Sequence, residues 1–401
     1  MHPPHPTRTT RALINTAALD SNYRLLSSLA APQAGLIAVL KADAYGHGVE
    51  ICVPALLHAG AEVFAVATIE EALAVRALAP AARILVLGGL FEGQAEAALD
   101  RNLTPVLWDA WQLKILDEAA RAQNRHAASV PVHIELDTGM SRQGVAPAEL
   151  AHFLRALFAA PALRVEGVMT HLYAADDVYS TATSAQFELL DAMLGAIADA
   201  GLKPEVLHLG SSASLITGIA PVLRQLAEKH KMRAALRPGL SLYGITPHFN
   251  PAPTEVPHSL STARQQLAPV LRWQTRIASI RQIPAGAVVG YNGTFVATEP
   301  MSIALLPVGY ADGLSRSLGN RFSLLIRGQR APIVGRISMD LTTIDVTEIP
   351  DVGVGDEVIL IGPQGDDEIT ATDHAHADGT IPWEILTRIS ARVPRLAVHS
   401  A

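Results

Sequence analysis

Residues Ala38–Gly48 read "AVLKADAYGHG", an apolar run that ends in a lysine and then turns into a glycine-flanked loop bearing an aromatic residue. The run begins at "GLIAVLKA" (35–42). A segment with so few polar positions has the pattern of a strand covered on both faces, as in a parallel sheet wrapped by helices. Seven more runs of this texture follow it: "VFAVAT" (63–68), "RILVLGG" (83–89), "LTPVLW" (103–108), "VPVHIELDTG" (130–139), "RVEGVMTHL" (164–172), "EVLHLGSS" (205–212) and "MRAALRPG" (232–239). Longer Ala/Leu-rich segments separate them. In "QFELLDAMLGAIADAG" (186–201), Phe187, Leu190, Leu194 and Ile197 recur at three and four residues, the spacing of one buried helical face, and Gly201 follows as its C-cap. About eight β/α units in roughly 250 residues predict a closed (β/α)8 barrel over 15–250, with an open doubly wound sheet as the alternative.

A barrel builds its site at the C-terminal ends of its strands. Lys41, Arg142, His171, His208, Ser211, Ser212, Arg237 and Gly239 all fall there. Any one of them has a structural reading; judged from its own stretch alone, Lys41 reads first as a surface lysine at a strand end. Their shared position on one rim is what packing does not explain.

Past residue 250 the texture changes. "FNPAPTEVPHSLSTARQQ" (249–266) is rich in Pro, Ser and Thr and reads as a linker, placed at 251–265. Beyond it, "RIASIRQIPAGAVVGY", "SIALLPVGYADG", "FSLLIRGQRAPIVGRISMD" and "GDEVILIG" are short runs between turn signals. They predict a mostly β domain over 266–401, with residues 8–14 as a candidate to pair with it.

Composition narrows the function classes. With 49% hydrophobic and 17% charged residues, the chain of 401 residues suits a large buried core in two domains. The formal net charge of −7, with no long basic run, gives no electrostatic footprint for nucleic acid. The opening "MHPPHPTRTTRALINT" lacks the apolar core of a secretory signal, and no run of about 18 apolar residues suggests a membrane span, so a cytoplasmic location is expected. The single cysteine, Cys52, reads as a buried core thiol in a helix, and the histidines show no metal-ligand spacing.

"AVLKADAYGHG", "LDTGMSRQG", "RPGLSLYG", "VGYNGTF", "PVGYADGLSR" and "GRISMD" together resemble the successive signatures of bacterial alanine racemase, over almost the whole chain and in order. That resemblance implies a pyridoxal 5′-phosphate enzyme, an isomerase that interconverts L- and D-alanine by two-base transfer of the α-proton. Lys41 then resembles the lysine that carries the cofactor, which needs a neutral amine and so a lowered pKa. Tyr45, Ser212 and the backbone N–H groups of Gly239 and Leu240 match the phosphate-binding positions. Arg237 resembles the arginine facing the cofactor's pyridine nitrogen, with His208 in its supporting network; a guanidinium there can only donate, which disfavours transamination. Tyr291 matches the second acid/base, and His171 the histidine that assists it. The family places that tyrosine in the partner of a head-to-tail homodimer, which also brings Tyr310 and Met339 to the substrate entrance. Asp176 and Arg336 match outer entrance positions, where a surface ion pair is the competing reading. His47 reads as a loop-structuring residue.

Arg142 resembles the arginine that holds the substrate carboxylate and the cofactor's phenolic oxygen. Two departures from the family pattern stand out. The position seven residues before Arg142, often a carbamylated lysine, is Glu135, expected to supply that negative charge permanently, with a gap filled by water or an anion as the competing reading. The position before "RVPR", often a tyrosine that narrows the pocket, is Ala391, which implies activity on serine beside alanine. Arg237 and "VGYNGTF" argue against a decarboxylase of the same plan, and the C-terminal domain argues against a non-catalytic pyridoxal-phosphate carrier. A broad-specificity racemase is the remaining alternative.

Overall fold

The first apolar run closes a ring. Gly35–Leu36 pairs in parallel with Arg233–Leu236, while Ala38–Val39 pairs in parallel with Val63–Val66. Between these partners the sheet runs through Val206–Leu209, Leu163–Met169, Val130–Glu135, Thr104–Leu107 and Arg83–Val86, every pair parallel. The run at 35–39, interrupted only at Ile37, therefore touches both ends of the sheet, and eight strand positions form a nearly closed barrel. This closure excludes the open-sheet alternative.

The computed structural model describes residues 7–249 and 257–399. They divide into two compact units: Ala18–Ala44 with Cys52–Ala268, and the residues up to Ala17 with Tyr45–Ile51 and those from Pro269 onward.

In the barrel unit the strands are buried on both faces, as their apolar continuity requires; all four residues of Thr104–Leu107 are buried. The helices bury one stripe each. Ala110–Ala122 starts at Asp109, whose side chain accepts from the Trp111 N–H, and buries Leu113, Leu116 and Ala120. Ala182–Asp199 buries Leu190, Leu194 and Ile197 as its spacing predicts, and Gly201 follows at φ +87°. Phe187 is only half-buried; the neighbouring Gln186 is inside instead, donating to Thr138 Oγ1 (2.9 Å) and the His171 carbonyl (3.0 Å). Cys52 is fully buried in the helix Val49–Ala59, and burial pushes its thiol pKa upward. Of the stretch read as a linker, 251–256 lie outside the described residues, and most of the rest is a helix, His258–Gln266, with Leu260 and Ala263 buried.

The second unit is built on a mostly antiparallel core sheet in the order Gln329–Pro332, Ser323–Ile326, Glu357–Gln364, Leu271–Arg276, Arg11–Asn15, Arg395–Val398. Arg11–Asn15 lies antiparallel to Leu271–Arg276 and parallel to Arg395–Val398. Its burial alternates residue by residue, the mark of a strand with one buried face. Arg327 and Gly328, at φ +52° and +73°, make the tight turn between Ser323–Ile326 and Gln329–Pro332. A three-stranded sheet of Ser279–Ile283, Met301–Leu306 and Thr342–Asp345 leads into the loop of the exposed Tyr310, and a separate hairpin, Val288–Val289 with Phe295–Val296, holds the exposed Tyr291 at its turn. Among the described residues, no helix is long and apolar enough to cross a membrane, and no cluster of three or more His, Cys, Asp or Glu is arranged to hold a metal ion.

Candidate active site

The first barrel strand ends with the Leu40 N–H donating to the Ala65 carbonyl (2.8 Å), and Lys41 stands immediately beyond. The chain then makes an unusual turn. Ala42, Asp43, Ala44 and Tyr45 have φ of 54°, 53°, 55° and 54°, a left-handed turn without a single glycine. Each such residue costs about 1–2 kcal/mol, so the turn persists only where contacts over-determine it. Glu71 supplies one of them. Its Oε1 accepts from the Ala42 N–H (2.7 Å) and its Oε2 from the Ala67 and Thr68 N–H groups (2.7 and 3.3 Å). Thr68 and Glu71 also form the capping box of the helix Ile69–Leu78. One carboxylate thus starts a helix and ties down the residue after Lys41.

Lys41 sits among cations. The surrounding protein lowers its pKa by desolvation, Arg142 and Arg237 lower it further, and Glu71 opposes them. His171 is lowered to about 3 by burial and by Arg237, Arg142 and Lys41, so it is neutral. Four of the residues singled out in the sequence therefore share one electrostatic neighbourhood at the C-terminal rim.

Arg237 is buried behind them. Its Nη1 donates to the His208 carbonyl (2.8 Å) and lies 3.0 Å from His208 Nδ1; its Nη2 donates to the Thr170 carbonyl (2.8 Å) and lies 3.3 Å from His171 Nδ1. Burial lowers this guanidinium to about 10, which leaves it charged at neutral pH. Next to it, two backbone starts converge on one hydroxyl. Ser212, first residue of the short helix Ser212–Ile216, accepts through Oγ from the Gly239 and Ser241 N–H groups (3.2 and 3.1 Å), and Leu240 opens the turn Leu240–Tyr243. A buried serine with several backbone N–H groups around it is a cradle for an anion.

Arg142 is exposed at the rim. The buried Glu135 accepts a short hydrogen bond from Gln143, and no hydrogen bond joins it to Arg142 among the described residues. Burial raises the Glu135 carboxyl, opposed first by the Gln143 hydrogen bond and then by the charges of Arg237 and Arg142. Asp176 is exposed and makes no ion pair among the described residues.

The other expected residues belong to the second unit. Tyr45 is buried there, which pushes its phenol pKa upward, and His47 Nδ1 donates to the Tyr45 carbonyl (3.0 Å), in keeping with a loop-structuring role. Tyr291 is 69% exposed, on a turn that follows Gly290 at φ +73°. Tyr310 and Met339 are also exposed, and their loops are joined through Tyr310 N–H to Ser338 O (3.1 Å) and Ala311 N–H to Met339 O (3.0 Å). A Cβ on Gly290 would lie 3.1 Å from the Arg336 nitrogen, and one on Gly335 2.7 Å from the Val289 carbonyl. These close backbone approaches gather Tyr291, Arg336, Tyr310 and Met339 on neighbouring loops.

Sequence reading passed over Glu71, Gln143, His133 and Glu166. Glu71 carried a signal, the Thr-x-x-Glu of a capping box. His133 and Glu166 carried another, as polar residues inside the apolar runs "VPVHIEL" and "RVEGVM".

The model of the alanine racemase N-terminal domain matches residues 14–247, and that of the alanine racemase C-terminal domain matches 270–397. The alanine racemase of Sorangium cellulosum is 39% identical over 397 residues, covering 97% of this chain and 98% of the relative. Among solved structures, alanine racemase from the D-cycloserine-producing Streptomyces lavendulae has a TM-score of 0.86 at 32% identity, covering 98% of each chain. Alanine racemase from Bartonella henselae with covalently bound pyridoxal phosphate has a TM-score of 0.80 at 29% identity, covering 97% of this chain and 99% of that one. Both domains, matched in order along nearly the full length and joined to a rim lysine with its arginines, place the chain in the alanine racemase family.

Proposed function

We propose that the protein interconverts L- and D-alanine with pyridoxal 5′-phosphate held on Lys41, as a cytoplasmic homodimer in which a second copy of the chain contributes Tyr291 to each site. In this reading residues 15–250 are the cofactor-binding barrel and 266–401 the β domain. The observation that carries it is the convergence of Lys41, Arg142, Arg237 and neutral His171 on one barrel rim beside the Ser212 cradle.

The donor set fits that cofactor. Its phosphate is an anion suited to the Ser212 hydroxyl and the N–H groups of Gly239 and Leu240, and family resemblance adds the Tyr45 phenol to that set. Arg237 can only donate, which suits an unprotonated ring nitrogen. The covalent attachment needs a neutral amine, and desolvation together with two nearby arginines disfavours the ammonium form of Lys41.

Bound pyridoxal phosphate supplies electron withdrawal that makes the α-proton of an attached amino acid removable. The chain's own residues then determine stereochemistry. Lys41 takes or returns the α-proton on one face, and Tyr291 does so on the other, since inversion needs a proton donor and acceptor on opposite sides. Arg142 holds the substrate carboxylate, with its orientation supported by Glu135. His208 holds Arg237, and His171 joins the hydrogen-bond network that assists Tyr291. Tyr310 and Met339 line the substrate entrance, and Asp176 and Arg336 its outer part.

The test is chemical. Borohydride reduction of the cofactor-loaded protein, followed by peptide mapping, should leave the pyridoxyl phosphate label on the peptide carrying Lys41. A label on another lysine, or none, refutes the assignment.

A further inference from the structure

Arg237 is held by more than its own neighbours. His208 Nε2 lies 2.7 Å from His133 Nδ1, and His133 Nε2 lies 3.5 Å from Glu166 Oε2. Glu166 in turn receives Arg83 Nη2 (2.8 Å) and Arg164 Nη2 (3.2 Å), both at Oε1. His133 and Glu166 line a cavity of about 670 Å³ formed by the N-terminal ends of the barrel strands, including Arg83 and Arg233. The line of polar groups therefore runs through the barrel interior, from the mouth opposite the rim to the guanidinium at the rim.

Space is reserved for it. A Cβ on Gly167, which pairs with His133 across neighbouring strands, would lie 2.5 Å from the His133 ring. Polar side chains inside a barrel otherwise filled by aliphatic layers are costly unless every donor finds an acceptor.

Only one arrangement of protons satisfies all of them. A guanidinium has no lone pair to offer, so His208 Nδ1 must be unprotonated to accept from Arg237. His208 then carries its proton on Nε2 and donates it to His133 Nδ1. His133 in turn carries its proton on Nε2, which points at the one group able only to accept, the Glu166 carboxylate. Burial keeps both rings neutral, dominating for His133 over the opposing pull of Glu166, while the contacts from His133 and Arg83 pull the Glu166 carboxyl pKa down to about 2, which leaves it ionised at neutral pH.

We propose that Glu166 and His133 are positioning residues: from the far mouth of the barrel they fix the tautomers of the His133–His208 pair, and thereby keep the His208 Nδ1 lone pair on Arg237. This rests on the reading of Arg237 as the cofactor's ring-nitrogen partner.

Neutron diffraction from crystals of the perdeuterated holoenzyme reads the tautomers directly. Deuterium is expected on Nε2 of both histidines, and none on His208 Nδ1. Deuterium on His208 Nδ1 overturns the proposal. The variant Glu166→Gln sharpens the test. Its amide oxygen stays with Arg83 and Arg164 at the Oε1 position, so the amide N–H group faces His133 Nε2 and drives both tautomers over. His208 Nδ1–H then opposes Arg237, and kcat for alanine should fall about tenfold with KM within about twofold. Reversed tautomers with unchanged kcat, or unreversed tautomers, overturn the proposal. If Glu166→Gln does not fold, the wild-type map decides. A protein that does not racemise alanine would refute the proposed function but leave the deuterium positions readable, so the two failures are distinct.

Discussion

Replacing Glu71 by glutamine isolates the contact that holds the turn behind Lys41. In the native protein Oε2 accepts two backbone N–H groups, those of Ala67 and Thr68, and Oε1 accepts one, that of Ala42. A glutamine oxygen satisfies the two-donor side, which leaves its NH2 group facing the Ala42 N–H, donor against donor. The lost bond is to a charged acceptor, in a class worth about 1.5–3 kcal/mol; solvent reaches this one, so about 1–2 kcal/mol is the working figure. The left-handed conformations of Ala42, Asp43 and Ala44 already cost about 1–2 kcal/mol each. Removing one of their ties should shift the turn away from its native geometry, and 1.4 kcal/mol corresponds to tenfold in that equilibrium. Initial rates of L-alanine conversion should therefore fall about tenfold in kcat/KM. Because the capping box keeps one acceptor, the melting temperature should move by only a few degrees. Loss of the opposing Glu71 charge should also lower the Lys41 ammonium pKa further, shifting the pH at which cofactor attaches to lower values. A Glu71→Gln enzyme with native rates and native pH dependence of attachment would refute this reasoning.

Three other outcomes follow from individual residues. His374 is buried with Nε2 donating to the Leu360 carbonyl (2.7 Å), and burial lowers its pKa to about 4 from 6.5. Its unfolded form binds a proton first as pH falls, so stability worth about 3 kcal/mol is present above pH 6.5 and is lost down to about pH 4; denaturant unfolding from pH 4 to 7 should show that slope, and His374→Gln should flatten it. With Glu135 providing charge beside Arg142, racemisation should be indifferent to bicarbonate depletion, and Glu135→Lys should make it bicarbonate-dependent; depletion that slows the native enzyme, with a carbamate on another lysine, contradicts this. Ala391 is exposed and lacks a ring, so serine should be a measurable substrate and Ala391→Tyr should reduce the serine-to-alanine rate ratio; complete rejection of serine by the native enzyme counts against a widened site.

The barrel was legible because parallel strands buried on both faces leave a continuous apolar signature, seen in all eight runs from Gly35 to Leu236. The helix His258–Gln266 was not. Its His, Ser and Thr residues carry weak helical propensity, and burial of Leu260 and Ala263, with Ser259 donating to the Ile216 carbonyl (2.6 Å), supplies what the local sequence lacks. The rim residues were legible one by one from strand ends. What joins them was not: no local pattern indicates that four non-glycine residues at 42–45 turn left-handed, or that Glu71, some thirty positions along, bonds Ala42. Likewise Gln186 replaced Phe187 as the buried residue because its amide meets Thr138 and His171, partners far away in sequence.

The most direct test of the account is the circular dichroism of an L-alanine solution followed over time, with the purified protein and added pyridoxal phosphate. The signal should decay to zero while total alanine stays constant. A signal that holds steady, with Lys41 carrying the cofactor, would contradict it.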